Sequence, residues 1–178
     1  MAATGLRPGE AAGLAVDRVD FLRRRLRVDQ QLLQKTRKLG PPKTRASYRT
    51  IPLPEVAIDA LAAHIKAFPP GEHGLVFTKP DGSPLNRDRV MIAFRKAVAE
   101  VKAPAGTTLH DLRHYYASLL IRHGESVKVV QARLGHASAG ETLNTYSHMW
   151  PDSDDRTRTA VDDVLGAPVD SSATVALR

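Results

Sequence analysis

The 178-residue sequence predicts an α+β fold, mostly α, with a small antiparallel β-sheet near the N-terminus. Two patterns carry this prediction. Arg25-Leu26-Arg27-Val28 and Arg49-Thr50-Ile51-Pro52-Leu53 alternate polar and apolar residues, as half-buried strands do. Most of the remaining chain carries apolar residues at helical spacing, punctuated by Gly and Pro.

Element by element, residues 8–15 form a short helix entered through Pro8, whose fixed φ suits a first turn. The strands follow. Lys35 to Ser47 is polar, contains Gly40-Pro41-Pro42, and is expected to be a basic loop. Val56, Leu61, Ile65 and Phe68 space like one helix face, closed by Pro69-Pro70-Gly71. Leu75-Val76-Phe77 is a short apolar run before the turn Pro80-Asp81-Gly82. Val90, Phe94, Ala97, Val98 and Val101 make a helical stripe. Thr108 to Asp111 resembles a capping box, with Asp in place of Glu. Behind it, Leu112, Tyr115, Tyr116, Leu119 and Leu120 form a stripe that ends near Gly124. Short helices are expected from Ser126 to Leu134, stopped by Gly135, and from Glu141 to His148. A last helix runs from about Asp154 to Leu165, and residues 167–178 are expected to form a flexible tail.

Composition narrows the chemistry. There is no cysteine, which excludes disulfides, thiol catalysis and cysteine-ligated zinc. No apolar run is long enough to span a bilayer and no signal peptide is visible, so a cytoplasmic location is expected. Lys plus Arg number 26 against 19 Asp plus Glu, a net charge of +7. Much of the positive charge lies between Arg18 and Arg49, whereas Asp152 to Asp163 is acidic. A local basic surface makes nucleic acid the first partner to consider.

The side chains able to do chemistry each have an ordinary structural explanation when taken singly. His110 and Arg113 share a helix face and can bind one phosphate, but such a pair is more often a solvated face. His136 follows a helix stop, where it would also serve as a C-terminal cap. Tyr146 sits among polar neighbours, as half-buried tyrosines commonly do. Arg7 has Glu10 as a partner, and Lys43 lies in a solvated loop.

Their order along the chain is more informative. Thr4-Gly-Leu-Arg7-Pro-Gly-Glu10 comes first, then Pro42-Lys43-Thr44 ahead of the second strand. His110-Asp-Leu-Arg113-His114, Leu134-Gly-His136 and Tyr146-Ser-His follow. This series, from about Thr4 to about Asp163, resembles the tyrosine recombinase (phage integrase) family, and specifically its DNA breaking-rejoining catalytic domain. The resemblance implies site-specific DNA recombination or integration through a 3′-phosphotyrosine intermediate. It implies Tyr146 as nucleophile, with Arg7, His110, Arg113 and His136 holding the scissile phosphate. Lys43 would be the general acid for the leaving 5′ oxygen, and Glu10 and His114 would be supporting residues. Asp111 is assigned to the helix cap.

The resemblance further implies double-stranded DNA as partner, a homotetramer on DNA when full length, and no cofactor, neither metal nor ATP. Residues 1–166 would form the catalytic domain without its first helix and without the preceding DNA-clamping domain. Two alternatives share these residues: a catalytically silent DNA-binding remnant, and a relaxing enzyme of the type IB topoisomerase kind. No metal-ligand pattern, phosphate-binding glycine loop or Ser-His-Asp arrangement competes.

Overall fold

The computed structural model describes residues 1–33, 35–85, 87–150 and 154–166. The expected tail at 167–178 lies outside the described residues. Helix α1 (Pro8–Ala12) leads into β1 (Val19–Asp20) and β2 (Arg25–Val28), then a hairpin of β3 (Gln31–Leu32) and β4 (Leu39–Gly40), then β5 (Arg49–Pro52). The helices α2 (Glu55–Ala67), α3 (Arg87–Glu100), α4 (Leu109–Arg122), α5 (Val127–Leu134), α6 (Ala139–Tyr146) and α7 (Asp154–Leu165) follow. Among the described residues, no helix is long and apolar enough to cross a membrane.

The sheet has the order β1-β2-β5 and is antiparallel throughout. Leu26 pairs with Ile51 and Val28 with Arg49, so the apolar parity of both strands faces one side. That face packs with Leu6, Leu14, Val19, Leu53, Ala57 and Val76 into a first core. A second core joins Tyr116, Ala117 and Ile121 of α4 to Val130 and Leu134 of α5 and Tyr146 of α6.

Several expectations shift for local reasons. The first helix stops at Ala12 because Gly13 is pressed against β3, where an added Cβ would lie 2.7 Å from the Leu32 nitrogen. The basic loop contains β4 and a single 3-10 turn, Arg45–Ser47. On α2 the buried side runs through Ala57, Ile58, Leu61 and Ile65, while Val56 and Phe68 are 69% and 62% exposed. On α4 it runs through Arg113, Tyr116, Ala117 and Ile121, leaving Tyr115 exposed. The α3 stripe is only half covered, and Ala97 and Val101 are open to solvent. Helix α6 starts earlier than expected because Ser138 caps it, accepting from the Glu141 amide.

Candidate active site

The site lies along the seam between the two cores, where buried arginines replace apolar packing. Arg113 projects from the buried face of α4 and is 2% exposed. Its guanidinium donates to the Gly5 carbonyl and, at 2.7 Å, to the Leu134 carbonyl. Local backbone shape supplies both acceptors. Gly5 has φ +62°, and a Cβ there would fall 2.5 Å from the Tyr116 ring, so only glycine brings this carbonyl close. Leu134 ends α5, whose cap Gly135 is left-handed at φ +67°.

Gly135 serves the other arginine. Its carbonyl accepts from Arg7 Nη2 at 3.1 Å. Arg7 Nη1 donates to Glu10 Oε1 at 3.1 Å and to Ser47 Oγ at 3.2 Å. Glu10, 4% exposed, is also held in a fork by Arg49, with Nη1 to Oε1 at 3.0 Å and Nη2 to Oε2 at 2.8 Å. Arg49 completes its donors on the Arg133 and Ser47 carbonyls. Glu10 is therefore a buried anion between two cations. Burial pushes its carboxyl up, but Arg49 and then Arg7 pull it below the usual range. Burial, with Arg7 and Arg49 nearby, lowers the Arg113 guanidinium to about 10, which still leaves it charged at neutral pH.

His136 follows Gly135 and is 7% exposed. Its Nδ1 lies 2.9 Å from Thr142 Oγ1, and Thr142 is fully buried. When that hydroxyl donates, the ring proton sits on Nε2, ready to donate outward. Burial lowers the His136 pKa to about 4, with Glu141 opposing and Arg113, Arg7 and Arg49 assisting. Burial also lowers His110, and the charges of His114 and Arg113 add to it.

Tyr146 ends α6 and is 3% exposed. Its phenol oxygen is 2.7 Å from His114 Nδ1. Burial raises the phenol pKa, and Arg113 opposes the rise. The His114 ring in turn meets the His110 ring edge-on at 4.7 Å. Arg7, His110, Arg113, His136 and Tyr146 thus share one electrostatic neighbourhood.

A profile of the phage integrase family matches residues 1–152. The chain belongs to that family. Among curated relatives, it is 32% identical over 171 residues to a XerC-like tyrosine recombinase of Caldanaerobacter subterraneus, covering 83% of this chain and 44% of the relative. It is 30% identical over 154 residues to tyrosine recombinase XerD of Corynebacterium glutamicum, covering 84% and 46%. The chain therefore spans about half the length of these relatives. The Tn1549 transposon integrase, solved in complex with a circular intermediate DNA, superposes with TM-score 0.75 at 27% identity, over 92% of this chain and 56% of that one. XerA recombinase shares the fold, with TM-score 0.67 at 20% identity over 92% and 55%.

Within this family member, one expected site residue stands apart. Lys43 is exposed and, among the described residues, has no hydrogen-bond or ion-pair partner. Its loop is nonetheless tethered to the site, since Thr44 Oγ1 lies 3.0 Å from Ser47 Oγ, which accepts from Arg7. Sequence reasoning passed over Arg49, Ser47 and Thr142. Arg49 had a detectable signal: it shares strand parity with Ile51 and Leu53, which are buried. An arginine on the apolar parity of a strand needs a buried anion, and Glu10 is that anion. Ser47 and Thr142 had no comparable signal.

Proposed function

We propose that this phage integrase family member cuts and rejoins double-stranded DNA in site-specific recombination, through a 3′-phosphotyrosine on Tyr146. The observation that carries this reading is the Tyr146 phenol on His114, within the field of Arg113. The DNA-bound state of the Tn1549 transposon integrase supports DNA as the substrate.

The chemistry follows from the residues. Attack on a phosphodiester builds negative charge on the non-bridging oxygens. Arg7 and Arg113, already fixed by backbone carbonyls and Glu10, present cationic donors that need no reorganisation as that charge grows. His136, neutral with an outward Nε2 proton, adds a donor, and His110 adds another from α4. Lys43, on a loop tethered through Thr44 and Ser47, protonates the leaving 5′ oxygen, a contribution of roughly 10²- to 10⁴-fold. The new phosphodiester to tyrosine keeps the energy of the one broken, so religation requires no ATP. The guanidinium groups supply the charge stabilisation for which other phosphoryl-transfer enzymes use a metal, and none is needed here.

A cytoplasmic enzyme assembled as a tetramer on DNA fits this role. The all-exposed helix α7 supports subunit docking, since it leaves Val161, Val164 and Leu165 open to a neighbour.

A DNA duplex with a nick beside the cleavage position releases a short fragment after attack and traps the covalent state. The wild-type chain should give a covalent, denaturant-resistant protein–DNA species, and Tyr146→Phe should give none while melting at an unchanged temperature. Folded, DNA-bound wild-type protein that never forms this species would overturn the reading.

A further inference from the structure

We propose that His114 is the proton acceptor for Tyr146 in strand cleavage and returns that proton in religation. The inference rests on the function proposed above and assigns a catalytic role to a residue that otherwise counts only as support.

The geometry isolates the pair. Among the described residues, the Tyr146 phenol has one hydrogen-bond partner, His114 Nδ1 at 2.7 Å. That distance is within range for direct proton transfer. Tyr146 is 3% exposed, so bulk water has little access to take its proton. The other site groups cannot replace His114. Arg113 and Arg7 carry no acceptor. His136 Nδ1 is engaged by Thr142, and Lys43 is exposed and unpartnered among the described residues. His110 reaches His114 edge-on at 4.7 Å between ring centroids. It thus flanks the acceptor and stands one ring further from the phenol. Among the described residues, the titratable groups interacting with His114 are His110 and Asp111 on its own helix and Tyr146 from α6. Burial raises the phenol pKa, so free ionisation of Tyr146 at neutral pH is rarer than for an exposed tyrosine. A partner that removes the proton as the bond forms lowers that cost.

Written as a balanced step, the Oη–H bond of Tyr146 breaks and its proton moves to His114 Nδ1. The freed oxygen pair forms the bond to phosphorus. The bond from phosphorus to O5′ breaks, its electron pair stays on O5′, and Lys43 supplies the proton there. In religation Lys43 takes back the proton of the 5′-hydroxyl as that oxygen attacks phosphorus, the bond from phosphorus to the Tyr146 oxygen breaks, and His114 returns its proton to the leaving phenolate. The step requires His114 in the Nε2–H form, with the Nδ1 lone pair directed at the phenol.

The test is single-turnover cleavage of the nicked duplex, made once with a normal 5′ oxygen and once with sulfur in its place as leaving atom. Sulfur leaves without protonation, so it rescues loss of an acid and not loss of a base. His114→Ala and His114→Gln should both cleave about 10²-fold or more slower on either substrate, with DNA affinity and melting temperature unchanged. Lys43→Ala should be slow with oxygen and fast with sulfur. Wild-type cleavage by His114→Gln would overturn the inference, because glutamine accepts a hydrogen bond but not the proton. Rescue of His114→Ala by sulfur would also overturn it, by placing His114 at the leaving group. Covalent product from wild type in either case keeps the recombinase reading intact. Absence of product from wild type removes both.

Discussion

Arg113 shows what a buried charge costs and how the cost is met. Removing a guanidinium from water costs several kcal/mol, and partners must replace that hydration. Carbonyls of Gly5 and Leu134 take two of its donors, and Glu10 lowers the potential around it. His136 meets the same problem differently, by staying neutral. Its native pKa of about 4 lies below the ordinary 6.5, so between these values the unfolded chain binds the proton more readily. Stability is therefore whole above pH 6.5 and declines as pH falls toward 4. Thermal melts from pH 7 to pH 4.5 should show a steeper loss for wild type than for His136→Asn; equal slopes would refute the assignment. At this scale the sequence was readable where a motif held its residue. Arg7, His110, Arg113, His136 and Tyr146, each singled out by a motif, lie in one electrostatic neighbourhood. Thr142 was opaque because a buried threonine on a short helix looks like any other, and its importance arises only from its contact with His136.

Helix ends do much of the positioning. The Thr108–Asp111 capping box forms as expected, with the Thr108 amide donating to Asp111 Oδ2 at 2.7 Å, and it starts α4 just ahead of His110. Gly135 ends α5 in the left-handed region and offers its carbonyl to Arg7. A Cβ there would lie 3.0 Å from both the Ala46 carbonyl oxygen and Arg49 Nη1. Gly135→Ala should thus cost at least about 1–2 kcal/mol, a melting drop of roughly 3–8 °C, and should slow cleavage further by moving the Arg7 acceptor. Unchanged melting and cleavage would contradict this. Element boundaries were legible wherever caps and breakers were explicit, as for α5. Faces were harder to read. On α2, Val56 and Phe68 are apolar at helical spacing, yet the sheet covers the side with Ala57 and Ile58. Hydrophobic residues outnumber the area available to bury them, and only the packing partner decides which ones are covered.

For the whole molecule, charge is separated by region. Arg23, Arg24, Arg25 and Arg27 on the first hairpin and Lys35, Arg37, Lys38, Lys43 and Arg45 around the second are exposed. Two acidic residues open α7. DNA affinity should therefore fall steeply between 50 and 200 mM salt, and replacing Lys35, Arg37 and Lys38 together by Ala should lower the log–log slope. An affinity indifferent to salt would contradict the basic surface as the binding face. The mixed architecture was legible from two strands and a series of stripes. The division into two cores was not, because that division depends on where buried arginines interrupt the packing. Arg113 and the half-buried Arg7 tie together distant parts of the chain: Gly5 to Arg113 across 108 positions and Arg7 to Gly135 across 128. Contacts of such long range form late, since the entropy of closing the intervening loops must first be overcome. A half-made or partly opened chain can carry Tyr146 without the arginine clamp that surrounds it in the finished fold. The arginine cluster around Tyr146 is thereby reserved for molecules that have finished folding.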